Sequence, residues 1–90
     1  MTAWYDRYIT TKHGVQGGAP IIRGTRTPVR SVIELLRIHD NDVGEVRRAL
    51  AYLDPAEIDA AIAYYNDNPT LVDADIQRHQ EALKQFHARA

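Results

Sequence analysis

Arginine and lysine carry the clearest chemical signal in this chain. Arg7, Lys12, Arg23, Arg26 and Arg30 oppose only Asp6 in residues 1–30, so the N-terminal third has a formal charge of +4. Residues 31–60 carry −4 and the last third −1, which hides the asymmetry in a net charge of −1. A cationic segment on a more acidic body is suited to a polyanion. Lys12, Arg23, Arg26 and Arg30 are candidates for neutralising phosphates, and arginine also forms bidentate contacts with guanine. Arg47 and Arg48 could clamp a nucleic-acid backbone, with a solvated helix face as their alternative, and Tyr64 could hydrogen-bond.

Other chemistries fail on spacing. His13, His39, His79 and His87 have no i, i+4 partner or zinc-motif spacing. Asp40-Asn41-Asp42-Val43-Gly44 resembles a calcium loop, yet its twelfth position is Ala51 rather than glutamate. Gly14, Gly17, Gly18 and Gly24 are not followed by Gly-Lys-Ser or Gly-Lys-Thr, which excludes a phosphate loop. Ser31 is the only serine and cysteine is absent, so no activated nucleophile assembles. The reading is non-enzymatic, without metal or cofactor.

The elements that must position the cations follow from local signals. The run from Gly17 to Arg30 holds three glycines and two prolines, so it cannot be helix interior. Thr27 as N-cap and Pro28 at the first helical position predict a first helix to about His39, with Val29, Val32, Ile33 and Leu36 inward and Leu35 and Ile38 widening that face. Arg30 in its first turn opposes the helix dipole and requires a compensating anion. Asp42 with Glu45 begins a second helix, and Asp54-Pro55-Ala56-Glu57 begins a third, running to about Asn66. Two short helices so tightly joined form a helix-turn-helix candidate, and an ordinary helical hairpin fits the same pattern. The presumed recognition helix carries Glu57 and Asp59 but no basic residue. Tyr8–Thr10 and Ile21–Arg23 read as short strands, pairing within one chain or between two.

From Pro69 to about His87, Val72, Ile76, His79, Leu83 and Phe86 form a narrow stripe flanked by polar residues, Asp75 among them. It covers its own core, a sister subunit or a groove on another protein. The fold class expected is mainly α: a helix-turn-helix three-helix core, homeodomain-like or winged-helix-like, with an N-terminal strand pair and a C-terminal amphipathic helix. Residues 1–68 form the helix-turn-helix-type domain and 69–90 the C-terminal helix. Ninety residues bury only about 60–65% of the unfolded surface, so a partner subunit is plausible from size. No apolar stretch could span a membrane and no signal-peptide pattern begins the chain, so the expected compartment is cytoplasmic.

The core Gly17-Gly18-x-Pro20-x-Ile22-Arg23-Gly24-Thr25-Arg26-x-Pro28-Val29, with the later block Leu53-Asp54-Pro55-Ala56-Glu57-Ile58, resembles the domain-of-unknown-function 433 family of prokaryotic antitoxin-like proteins. The resemblance spans roughly residues 8 to 66. It implies a small, usually dimeric, helix-turn-helix-type protein, grouped with VapB-type antitoxins and commonly encoded beside a PIN-like ribonuclease. On that basis the expected function is a type II antitoxin that sequesters the ribonuclease and binds operator DNA as a homodimer. Two alternatives remain: a protein-interaction module whose arginines anchor acids of its own fold, and a stand-alone helix-turn-helix regulator.

Overall fold

The structure, a computed structural model, describes residues 3–89, with side chains up to Phe86; residues 1, 2 and 90, the outermost ends of the two expected segments, and the side chain of His87 lie outside the described parts. A 3₁₀ turn, Trp4–Arg7, leads into β1 (Ile9–Thr10), which pairs antiparallel with β2 (Ile21–Ile22) of the same chain. Four helices follow: α1 (Val29–Ile38), α2 (Val43–Ala49), α3 (Pro55–Asp67) and α4 (Pro69–Arg89). The protein is therefore mainly helical with a short N-terminal strand pair, the architecture expected from the sequence.

The two acidic start signals form as local chemistry requires. The Asp42 carboxylate accepts the Glu45 N–H at 3.3 Å, and Glu57 reaches back to accept the Asp54 N–H at 2.8 Å. Each satisfies a donor that the first turn of a helix leaves orphaned. α1 begins one residue later than its own signal suggested. Pro28, in extended conformation, takes the N-cap position, because the chain before it is held as a ladder against β2. Ile22 N–H donates to Thr27 C=O and Val29 N–H to Pro20 C=O, both at 2.9 Å. Thr27 is thereby freed from capping, and its hydroxyl bonds that of Tyr52 at 2.6 Å. The turn between β2 and this ladder runs through Gly24 at φ +81°, a left-handed conformation that glycine adopts without Cβ strain.

One core serves the described residues. Ile22, Val32, Val46, Ile58 and Val72 are fully buried in it, so the first half of α4 packs on α1 and α3 rather than standing apart. Only Asn68 separates α3 from α4. Ile38 departs from expectation: it is 72% exposed, while Leu35 and Leu36 of the same turn pack against the core. The α4 stripe likewise divides. Val72 and Ile76 belong to this chain's own core, His79 is half-buried, and Leu83 and Phe86 are exposed. Among the described residues, no helix is long and apolar enough to cross a membrane.

Candidate functional site

The β1–β2 register brings together residues that are far apart in the cationic third of the chain. Thr10, Thr11 and Lys12 leave β1, while Arg23, Thr25 and Arg26 form the turn after β2, and all six line one open cleft of about 410 Å³. Among the described residues, its lining holds three cations and no carboxylate. Three of the candidate phosphate-binding residues, Lys12, Arg23 and Arg26, thus converge.

Their side chains differ in freedom. Arg23 donates from Nε to the Arg7 carbonyl and from Nη2 to the Asp6 carbonyl, both at 3.2 Å, which fixes its guanidinium while leaving Nη1 and the full charge. Lys12 and Arg26 are exposed. The Thr25 hydroxyl is committed to shaping the turn: it donates to Ile22 C=O at 2.7 Å and accepts the Thr27 N–H at 3.0 Å. Gln16, itself left-handed at φ +51°, braces the same turn by donating Nε2 to the Arg26 carbonyl at 3.0 Å.

Arg30 does not join them. It is buried at the start of α1, donating Nη1 to Asp75 of α4 at 3.1 Å and Nη2 to Gln16 Oε1 at 3.0 Å. Asp75 is the anion that its position in the first turn demanded, so contact with phosphate would require breaking a buried pair. Asp75 itself is buried and not part of a solvated flank. Its signal was legible in retrospect: it lies three residues after Val72 and one before Ile76, on the inward side of the helix. Gln16 gave no such signal beyond its place before two glycines.

The remaining candidates also lie away from the cleft. Arg47 pairs with Asp59 at 3.1 Å, and Arg48 pairs with Glu45 on its own helix. Both are exposed pairs of small net value, so they lower the positive field of α2 without immobilising it. Tyr64 is half-buried and packs edge-to-face on Tyr5 with ring centroids 5.7 Å apart. Burial, aided by the charge of Asp6, raises its hydroxyl pKa, which keeps it a neutral packing residue. Tyr5 in turn donates its hydroxyl to Asp67 at 2.7 Å, and that bond raises its pKa. α3 is packed against α1, α4, β1 and the 3₁₀ turn, and it exposes Asp59 with half-exposed Glu57 at its start. Asp59 already holds the Arg47 guanidinium and α3 carries no Lys or Arg of its own, so this helix offers no cation to a phosphate.

A family model described as "Protein of unknown function (DUF433)" matches residues 9–65. The chain belongs to the DUF433 family. The match runs from β1 to the last turns of α3, so the cationic cleft lies inside the DUF433 segment and α4 outside it. Among solved structures, a DUF433 member protein from Anabaena variabilis is similar, at 31% identity and a TM-score of 0.68. The similarity covers 78% of this chain and 68% of that one. No curated protein matches the chain.

Proposed function

We propose that this DUF433 protein is a non-enzymatic antitoxin of a type II toxin–antitoxin pair, binding operator DNA through its cationic cleft and a PIN-like ribonuclease through α4. The observation that carries the nucleic-acid half is the convergence of Lys12, Arg23 and Arg26 on a cleft with no carboxylate in its lining. An open groove of positive charge with no carboxylate in its lining attracts phosphates, and binding there releases counterions from the nucleic acid. In this reading Arg23 is the fixed contact, held by two backbone carbonyls, and Lys12 and Arg26 adjust around it.

The toxin half rests on the family resemblance together with the division of the α4 stripe. Val72 and Ile76 anchor the helix to its own core, which leaves Leu83 and Phe86 as the exposed apolar section that a partner would cover. The protein is cytoplasmic and homodimeric in this account. Two experiments test it. A mobility-shift titration against the promoter of its own operon is expected to show binding that Lys12→Ala with Arg26→Ala weakens; undiminished binding removes the cleft assignment. Co-expression with the ribonuclease of the neighbouring reading frame is expected to give a complex that Leu83→Asp with Phe86→Asp disrupts, and an intact complex with that variant removes the α4 assignment.

A further inference from the structure

Trp4 is the only tryptophan of the chain, and it is 56% exposed. Its ring is nonetheless held in place, edge-to-face with Tyr5 at 6.1 Å and with Tyr8 at 6.2 Å between centroids. In a 3₁₀ turn, side chains at i and i+3 eclipse, which puts Arg7 on the same side of Trp4–Arg7 as the indole. The Arg7 guanidinium lies 5.8 Å from the Tyr8 ring centroid. The one carboxylate of this turn, Asp6, accepts the Ala3 N–H at 2.9 Å.

Arg23 joins this aromatic shelf to the cationic cleft. Arg23, which lines the cleft, donates its guanidinium to the carbonyls of Asp6 and Arg7 and its backbone N–H to Tyr8 C=O at 2.7 Å. An oriented, exposed ring beside a row of cations meets the two needs of an unpaired nucleotide: a π surface for the base and positive charge for the phosphate. A duplex hides its base faces in its own stack and would leave the indole unused. An acidic peptide would use the cations alone.

We infer that Trp4 is a base-stacking platform, and that shelf and cleft together also bind single-stranded nucleic acid, in addition to the operator duplex that the cleft cations alone engage, with a base on Trp4 and its phosphates at Lys12, Arg23 and Arg26. The inference rests on the reading of the cleft as a phosphate site. Because Trp4 is the sole tryptophan, its fluorescence reports on the platform directly. The full chain is titrated with a short oligothymidylate, an oligouridylate, a duplex of equal length, an oligoglutamate and inorganic phosphate. Saturable quenching by a single strand, exceeding that by the duplex, is expected; the tighter of the two single strands assigns DNA or RNA. Trp4→Leu keeps an apolar contact with Tyr5 and Tyr8 but loses the π face. It is expected to weaken binding of a labelled strand by about five- to a hundredfold, with Trp4→Phe restoring most of it. Strand binding that leaves Trp4 fluorescence unchanged, is unaffected in Trp4→Leu and is lost in Lys12→Ala with Arg26→Ala overturns the platform while the cleft reading stands. Absence of binding to every nucleic acid overturns both. Stronger quenching by oligoglutamate than by any strand overturns the platform in favour of an acidic peptide.

Discussion

Asp75→Ala is expected to be among the most damaging single changes outside the apolar core. The substitution leaves the buried Arg30 charge with one neutral partner, Gln16 Oε1 at 3.0 Å, while its Nε is already buried without any. Both side chains of the pair are only 10% exposed, so water cannot take the place of the lost carboxylate. Removing one member of a buried pair costs about 3–5 kcal/mol. A domain of this length has a total stability of about 5–14 kcal/mol, so the loss is roughly a fifth of it or more. At roughly 4–8 °C per kcal/mol the midpoint falls by about 12–40 °C. Arg78 loses only a 3.5 Å contact at the surface and contributes little to that figure. Replacing both partners with apolar residues of similar size, Arg30→Met with Asp75→Leu, removes the buried charge altogether and is expected to be neutral or stabilising. Urea denaturation of the wild type, Arg30→Met, Asp75→Leu and the double variant, followed by circular dichroism, gives the coupling energy of the cycle, with Asp75→Ala measured alongside. Asp75→Ala within about 0.5 kcal/mol of wild type, the range of an inert surface change, would refute the reasoning.

Gly24→Ala isolates backbone strain in the cleft turn. A Cβ there meets nothing within 4 Å, so only φ +81° opposes the change, and a loss of about 1–2 kcal/mol in a thermal or urea melt is expected. A variant as stable as wild type would mean that the turn relaxes freely. Asp73 gives a prediction in pH: hydrogen bonds from Arg37 at 2.7 Å and Tyr65 at 2.9 Å lower its pKa. A lowered native value stabilises the fold above the ordinary aspartate pKa of about 3.9 and is lost as pH falls through that lowered value. The melting difference between wild type and Asp73→Asn is therefore expected to be constant near neutrality and to vanish on acidification; a difference that grows in acid contradicts the sign.

What was legible in the sequence is what neighbours in the chain decide. Asp54 with Glu57, and Asp42 with Glu45, are helix starts written within four residues, and they form as written. The start of α1 was off by one residue because bonds from Ile22 to Thr27 and from Val29 to Pro20 belong to a ladder and not to a cap. Arg30 displayed its need for an anion, but the partner stands 45 positions away on another helix. Periodicity along α4 identified a face without showing where the core beneath it ends, so Val72 and Ile76 fell inside and Leu83 outside. The cations of the cleft were visible as types; their convergence depends on the pairing of Ile9 with Ile22, which places the β1 exit beside the β2 turn. Trp4 carries no functional signal in the sequence, since a single aromatic has no spacing.

The central claim is that Lys12, Arg23 and Arg26 neutralise nucleic-acid phosphates, and the salt dependence of binding tests it most directly. Three phosphate contacts predict a slope of log K against log salt of about −2.7 on a duplex or about −2.1 on a single strand. Lys12→Ala with Arg26→Ala should reduce that slope to about one third, leaving the contact of Arg23. A slope near zero in the wild type, or one unchanged in the double variant, would contradict the account.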